Sequence, residues 1–556
     1  MDVKRLFLII SLALVSYLMV VQWNKDYGPQ AQAPVVQNTL PSTESPSATN
    51  SGSEDIPQNS ARGELAVNSS DASTSLIEVR TDVLDLRIDP KGGDIVYAAL
   101  PEHTARVDTP EIPFVLLERS KARTYVAQSG LAGSNGPDAS RNGRPLFSTE
   151  QASYELSEGA DSLQIDLNFV QESGVEITKR FTLQRDSYDI RVEYLINNTS
   201  SEVWSGYYFA QLKRDNSPDP TQSEGMGMVS YLGAAISTEA EKYEKITFKD
   251  IQEKDVKRES VGGWVAMIQH YFVSARIPDQ NVKQEYSTRS TSRGDNIVGF
   301  SSPETVLQPG EQVTLGSNLY VGPKVQERLE AAATNLELTV DFGWLWFIAQ
   351  PLFWMLDILH GFLGNWGWAI IILTVMIKGA FFHLSASAYR SMANMRRVGP
   401  ELQRMKEKYG DDRQKMSQAM MELYKKEKIN PIGGCLPILI QMPVFIALYW
   451  MLMESVELRH APFMLWIEDL SVKDPYFVLP IIMGASMFIQ QLLNPTPPDP
   501  MQAKLMKMLP VIFTVFFLWF PAGLVLYWVV NNVLSIAQQY VITKRIEDGD
   551  GKKAKA

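Results

Sequence analysis

The sequence has a single cysteine and only five histidines, and these scarcities exclude several kinds of site. With Cys435 alone, no intramolecular disulfide can form, so an exported domain must be stabilised by its core. No histidine has a partner at metal-ligand spacing; the five are His103, His270, His360, His383 and His460. A Walker loop, a Gly-x-Ser-x-Gly motif and paired carboxylates inside apolar runs are also missing. The sequence therefore predicts neither an enzyme nor a metal or cofactor site.

Positive charge is also scarce. The chain has 52 Lys+Arg against 63 Asp+Glu, and this acidity excludes nucleic acid as a main partner because phosphate binding needs a basic face. The deficit is uneven: residues 341–556 carry 21 basic and 17 acidic residues, net +4. Subtraction from the whole leaves 31 and 46 for residues 1–340, net −15. We therefore expect the two parts to lie in different compartments.

The chain opens with an apolar run behind two basic residues. Lys4 and Arg5 precede the run 6–21, which predicts an uncleaved signal-anchor span over residues 1–24 with a cytoplasmic N-terminus. A cleaved signal peptide is the alternative, because Ala31-Gln32-Ala33 resembles a cleavage site, although it lies about ten residues beyond the run. Residues 25–75 are rich in Pro, Ser, Thr, Asn and Gln, so we expect a disordered periplasmic tether.

From residue 76 the hydrophobic pattern has a period of two, as in strands with one wet face. The clearest alternating runs are residues 84–88, 163–169, 190–196 and 313–321. They predict an all-β, antiparallel sandwich over residues 76–323 on the periplasmic side. Residues 324–360 would lead back to the membrane through a short helix at 324–335 and an amphipathic helix at 342–359, dense in tryptophan, in the outer interface.

Five further apolar segments predict membrane spans at residues 366–382, 432–453, 476–493, 508–520 and 524–542. With the signal anchor they predict a polytopic α-helical membrane protein of six spans, with a five-span core over residues 361–546. Segment 508–520 would be roughly 20 Å long as a helix, against a ~30 Å hydrocarbon core, which predicts local thinning or water entry.

The loop charges orient these spans. Residues 390–428 hold 11 Lys+Arg and 6 Asp+Glu, whereas residues 454–474 hold 2 and 5. The positive-inside rule therefore puts the first loop in the cytoplasm and the second outside, with the short basic tail 547–556 also cytoplasmic. A seventh span at 342–359 would invert both loops, and Pro351 interrupts that segment.

The basic loop predicts a cytoplasmic helical hairpin at about residues 385–430. One helix would end at the C-cap glycine Gly410, and Asp411 or Asp412 would cap the next. Arg396 and a row of methionines lie along the pair: Met392, Met395, Met405, Met416, Met420 and Met421. Methionine suits surfaces that meet varied partners. The alternative is that these methionines pack the two helices together.

Polar residues inside the predicted spans are the candidate functional residues. Lys378 lies twelve residues past Trp366, roughly 18 Å into its span, with Thr374 one turn earlier on the same face. The last span carries a stripe at Asn531, Ser535 and Gln538, with Trp528 beneath it, and Gln441 adds an amide from a third span. A snorkelling lysine and helix-joining amides are the alternative. Together these residues indicate a hydrated cavity.

Four stretches of the sequence resemble a known family. Asn430-Pro431-Ile432-Gly433-Gly434-Cys435-Leu436-Pro437, followed by Leu439-Ile440-Gln441-Met442-Pro443-Val444-Phe445, resembles the first cytoplasm-to-outside span of the YidC family of bacterial membrane protein insertases. Phe520-Pro521-Ala522-Gly523-Leu524-Val525-Leu526-Tyr527-Trp528 is similar to its last hairpin. Gly263-Trp264-Val265-Ala266-Met267 and Asp89-Pro90-Lys91-Gly92-Gly93-Asp94 are similar to its large periplasmic domain in the Gram-negative form.

The resemblance implies an insertase and chaperone of the bacterial inner membrane that needs no cofactor. It would accept nascent membrane proteins alone or from the Sec translocon and its accessory subunits, and would release them to membrane lipids. Lys378 matches a cationic position in a hydrated groove, where the Gram-negative pattern has arginine. Thr374, Gln441, Tyr527 and Trp528 match other groove or substrate-contact positions. The tail's three lysines imply only weak ribosome binding.

Two other classes of function stay open from the residues. A solute transporter would need a second gate and usually an internal repeat, and the spans have no evident repeat. A periplasmic ligand-binding receptor or carbohydrate-active enzyme would need acidic residues gathered in a cleft of the β domain. The family's β domain is similar to sugar-binding sandwiches, but this is a likeness of fold alone.

Overall fold

The computed structural model describes residues 56–57, 75–140, 143–222, 229–410, 412–427, 436–494 and 500–553. The predicted signal anchor, most of the predicted tether and the end of the tail lie outside these residues. So does Cys435 with the motif before it. Within the tether range, Ile56 packs on the outer side of β-strand residues Tyr207 and Phe209, and Tyr207 Oη donates to Pro57 O at 2.7 Å.

Between residues 77 and 323, the described part of the chain forms nineteen strands. In chain order they are β1 Ile77–Arg80, β2 Asp85–Asp89, β3 Asp94–Arg106, β4 Thr109–Arg119, β5 Thr124–Ala132, β6 Ser153–Glu155, β7 Ser162–Val170, β8 Glu176–Gln184, β9 Asp189–Asn197, β10 Trp204–Arg214, β11 Gly233–Ser237, β12 Glu244–Ile246, β13 Lys257–Val261, β14 Trp264–Ile268, β15 Phe272–Pro278, β16 Lys283–Ser290, β17 Asn296–Ser301, β18 Thr305–Leu307 and β19 Gln312–Pro323. The four predicted alternating runs correspond to β2, β7, β9 and β19.

The strands form two sheets, which confirms the predicted β-sandwich. Eleven strands make one sheet in the order β13-β16-β17-β10-β5-β4-β3-β2-β1-β6, with β18 on β10. Eight make the other, in the order β12-β11-β14-β15-β19-β9-β8-β7. Burial alternates along β8 and β9, so every second side chain enters the shared core. One pairing departs from the antiparallel prediction, because β1 and β6 are parallel.

The sandwich core also holds charged residues that the period-two pattern does not predict. Lys179 is fully buried, and its Nζ donates to Gly92 O at 2.9 Å and Ser129 O at 3.2 Å. Arg144 pairs with Asp138 at 2.7 Å and also with Asp94. Burial lowers the pKa of Lys179 to about 7. Asp94 and Asp138 thus lie inside the domain, and both are paired with Arg144.

Eleven α-helices are described. They are α1 Phe248–Glu253, α2 Gln326–Ala332, α3 Trp346–Leu363, α4 Trp366–Ala380, α5 Phe382–Arg397, α6 Gly399–Tyr409, α7 Arg413–Lys426, α8 Leu436–Glu454, α9 Val478–Leu493, α10 Pro500–Phe517 and α11 Ala522–Lys553. The long helix α11 is central: it packs against α4, α5, α8 and α9. α3 covers α4 and α8 on one side, and α10 packs on α9 on the other.

The helix bounds implied by the predicted span at 508–520 are wrong. The helix there, α10, has 18 residues from Pro500 to Phe517, roughly 27 Å in length. It extends through Lys504 and Lys507, because lysine is a good helix former although it ends an apolar run. A hydropathy boundary is not a helix boundary, and the predicted bilayer thinning or water entry, which depends on the apolar stretch after Lys507, stays a prediction.

Three helices, rather than the predicted two, are formed by the described residues of the basic loop. α5 ends at Arg397 and α6 starts at Gly399-Pro400, since proline fits only the first turn of a helix. The predicted helix end is confirmed, since α6 ends at Tyr409 with Gly410 as its C-cap, but the φ of −50° and ψ of −33° of Gly410 are right-handed helical rather than left-handed. Asp412 does cap α7, accepting from the backbone N of Gln414 at 3.2 Å and of Lys415 at 3.1 Å.

Judged by length and composition, one helix of the described part could cross a membrane, Gly343–Leu363. A second follows if Trp366–Ala380 and Phe382–Arg397, bent by 67° at Phe381, form one span. Ile440–Glu454 and Val478–Leu493 are shorter apolar helices. The six predicted spans and the interfacial position of residues 342–359 therefore stay predictions.

Candidate functional site

The candidate site lies where α4 and α8 meet α11, and we call Thr374, Lys378, Gln441, Asn531 and Ser535 the polar site. Lys378 is in the last turn of α4, three residues before the bend at Phe381. Lys378 as a whole is 8% exposed, and no described residue forms a hydrogen bond or ion pair with its ammonium group. Thr374 is buried and donates to Ile370 O at 2.6 Å, so its hydroxyl is already satisfied. The C-terminal end of α4 favours a cation at Lys378.

The polar stripe of α11 joins helices. Gln441 Nε2 donates to Asn531 Oδ1 at 2.9 Å and so ties α8 to α11. Ser535 Oγ donates to Asn531 O at 2.7 Å, and Ser535 also hydrogen-bonds with Tyr389 of α5. Gln538 Nε2 donates to Phe382 O at 3.1 Å, which fixes the start of α5. The structure thus brings Gln441, Asn531 and Ser535 together, and it joins Lys378 to them by no described hydrogen bond.

Tyr527 and Trp528 lie in an aromatic cluster beside this stripe. Tyr527 is 3% exposed and stacks on Phe445 with ring centroids 6.2 Å apart. Trp528 is half-buried, contacts Phe445 edge-on at 4.5 Å and lies 5.2 Å from Phe517. Its Nε1 is buried without a hydrogen-bond acceptor among the described residues. Of the two matched positions, only Trp528 can meet a molecule outside the fold without rearrangement.

Sequence reasoning missed a second polar face on α11. Asn532 Nδ2 donates to Ser486 Oγ of α9 at 3.1 Å. Two turns further along the same face, Gln539 Nε2 donates to Leu493 O at 3.2 Å and to Asn494 Oδ1 at 3.1 Å. Asn532 and Gln539 are seven residues apart, two helical turns, and this spacing is the signal that could have found them.

Some of the hairpin methionines pack the helices together, and others lie on the surface, where partners could bind. Val398, Leu402 and Leu423 form a small core between α6 and α7. Met395, Met405 and Met420 pack against it, so these three join the helices. Met392 and Met416 are half-buried, whereas Arg396 and Met421 are exposed. An exposed methionine surface is therefore smaller than the sequence indicates.

Comparison with known proteins decides the family. Residues 76–355 match the family model of the YidC periplasmic domain, and residues 358–550 match that of the 60Kd inner membrane protein. The membrane protein insertase YidC of Pseudomonas entomophila (strain L48) is 58% identical over 565 residues, covering 100% of both chains. The chain belongs to the YidC family of membrane protein insertases. This confirms the resemblance predicted from the sequence.

Other YidC proteins agree with this assignment. That of Stutzerimonas stutzeri (strain A1501) is 57% identical over 555 residues, covering 99% of each chain. Among solved structures, an active YidC insertase with its first transmembrane domain resolved is 17% identical, with a TM-score of 0.38 over 84% of this chain and 92% of that one. The family assignment rests on the sequence matches. The chain is thus an inner-membrane protein of a family of insertases rather than enzymes.

Proposed function

We propose that this chain integrates inner-membrane proteins and helps them fold, and that the polar site receives the segment that must cross. It acts alone or on helices delivered by the Sec translocon and its accessory subunits. The observation that carries the proposal is Lys378, a buried cation without a partner among the described residues. A charge in that setting favours an acidic or polar segment over lipid.

The orientation of the chain supports this role. The six predicted spans put both termini and the basic hairpin in the cytoplasm and the β-sandwich in the periplasm. Lys378 lies near the inner end of α4 in this topology, where a segment arriving from the cytoplasm would meet it first. The hairpin's 11 basic residues would contact anionic lipid and newly made chains. Binding of the chain to the ribosome would be weak.

Reconstitution tests the proposal directly. Proteoliposomes that contain only this chain should integrate a single-span substrate synthesised outside them, with its tail protected from added protease. Empty liposomes with the same lipids are the control. Failure of the chain to protect the tail, or flux of a small solute instead, would exclude an insertase.

Crosslinking then tests the location. A photo-reactive residue at Gln441, half-buried in the polar site, should trap the substrate during its synthesis. The same residue at Ile481, exposed on the outer face of α9, is the matched control. Equal trapping at both positions would show that the substrate does not use the polar site.

A further inference from the structure

A buried ion pair joins the outer end of α8 to the segment that follows the β-sandwich. Lys324 comes directly after β19, and Glu454 is the last residue of α8. Lys324 Nζ lies 2.9 Å from Glu454 Oε2, and their side chains are 1% and 2% exposed. Lys324 Nζ also donates to Thr339 O at 3.2 Å, and its backbone N donates to Tyr271 O at 2.9 Å. Both charges are therefore held by fixed partners.

The surroundings leave little room for this pair to move. Gly343 has φ of +67°, and a Cβ there would lie 3.3 Å from the Trp450 ring of α8. His270 Nε2 is 2.8 Å from Met453 O in the last turn of α8. A buried pair is weak evidence of stability, because desolvation offsets its attraction, but loss of one partner leaves an uncompensated charge. Such pairs can specify a position rather than add stability.

The helix links this pair to the polar site. α8 is helical from Gln441 to Glu454, thirteen residues or roughly 20 Å apart, and contains Pro443 two residues after Gln441. Because the helix continues through this proline, a rotation or shift at Glu454 would also move the turn that carries Gln441. We propose that Lys324 and Glu454 are positioning residues, which set the depth and rotation of α8 so that Gln441 meets Asn531. This inference rests on the insertase function proposed above.

A second set of contacts nearby has a different role. Arg459 Nη2 donates to Thr104 O at 2.7 Å and Ala105 O at 3.1 Å, and His460 Nδ1 lies 2.9 Å from Thr104 Oγ1. These bonds dock the sandwich on the loop after α8 rather than on α8 itself. The end of α8 is thus contacted by the segment 324–345 and by one loop of the β-sandwich, through His270.

The test measures geometry and insertion separately in the full-length chain. For geometry, cysteines replace Gln441 and Asn531 in a Cys435→Ser chain, and a short bifunctional thiol reagent measures their proximity in membranes. Glu454→Gln and Lys324→Met should each lose most of this crosslink, because each leaves one buried group unpaired. The double variant should recover it, since it removes both charges together.

Insertion is measured with Gln441 and Asn531 intact. It should fall in each single variant and recover in the double, while the amount of chain in the membrane stays constant. The matched control is Lys257 with Glu285, an ion pair of the β-sandwich whose charged atoms lie 3.4 Å apart and whose side chains are 64% and 38% exposed. Lys257→Met and Glu285→Gln should change neither readout.

Two results would overturn the inference. One is a normal crosslink in both single variants. The other is a lost crosslink with normal insertion, since α8 would then move without consequence. Failure of the unaltered chain to insert any substrate would instead refute the proposed function, so the two failures are distinguishable.

Discussion

Removing the charge of Lys378 tests whether this lysine binds the substrate or only anchors its helix at the membrane surface. Lys378→Arg keeps the charge and should insert substrates normally. Lys378→Met keeps the length and apolar stem but removes the charge, so it is a closer control than alanine. We expect it to fail for substrates with an acidic translocated tail, and to fail much less for nearly apolar ones.

The size of the effect follows from the burial of the side chain. At 8% exposure the ammonium group is shielded from bulk water, so an effective dielectric near 20 applies. A tail carboxylate is then attracted by about 4 kcal/mol at 4 Å and about 2 kcal/mol at 8 Å. Loss of the charge should weaken retention of such a tail by roughly 30-fold to several hundred-fold. Attraction of this size holds a tail transiently and still releases it.

The assay compares two substrates that differ only in the charge of the tail. Protease protection is measured in proteoliposomes with the unaltered chain, Lys378→Arg and Lys378→Met. If Lys378 only snorkels to the cytoplasmic headgroups, Lys378→Met should be harmless, since a more apolar span inserts better. Equal protection of both substrates by the methionine variant would refute the hypothesis that the charge of Lys378 binds the substrate tail.

Four further outcomes test other parts of the chain. Deleting residues 76–320, with 1–24 and 342–359 kept, should leave insertion largely intact, and complete loss with the truncated chain still in the membrane would contradict this. Deleting residues 390–428 should abolish insertion more fully than neutralising their basic residues; normal insertion by the deletion would remove the hairpin from the mechanism. Asn532→Leu should lower stability in detergent by about 0.5–1.5 kcal/mol, because it removes the hydrogen bond that joins α9 to α11 while the Ser486 hydroxyl keeps Met483 O as its acceptor, and Ser486→Ala added to it should cost little more; additive losses would contradict that pairing. Burial, with Arg459, lowers the pKa of His103 to about 4, so the β domain should lose up to about 3 kcal/mol as the pH falls from 6.5 to 4, the range in which only the unfolded chain is protonated. The unfolding midpoint of His103→Gln should vary less over that range, and an unchanged pH slope would contradict this assignment.

The sandwich was predictable because its signal is local. Residues 163–169 and 190–196 alternate strictly, and each became a strand with one buried face. The parallel pairing of β1 with β6 was not predictable. It consists of only three residue pairs, and the paired residues are more than seventy positions apart in the sequence. The buried Lys179 was missed for a similar reason, because its two acceptors come from a distant turn, at Gly92, and a distant strand, at Ser129 of β5.

In the helical part, the residue types were predictable but their partners were not. The spacing of Asn531, Ser535 and Gln538 predicts one polar face, and the sequence cannot tell whether that face meets water or another helix. The structure gives each a hydrogen bond within the described chain. The helix of α10 was misjudged because hydropathy locates apolar residues rather than helix ends.

These hydrogen bonds narrow the choice of the residue that meets the substrate. A side chain that already has a partner must break a bond to bind another group, and in a site with little water that bond is not replaced. Gln441 and Asn531 satisfy each other, and Thr374 is satisfied by its own helix. Among these residues of the polar site, Lys378 alone has no described partner, so it can bind an incoming segment without losing an existing contact. The amides then serve to hold α8 and α11 in place around that charge, which is why the position of α8 should matter as much as the charge itself.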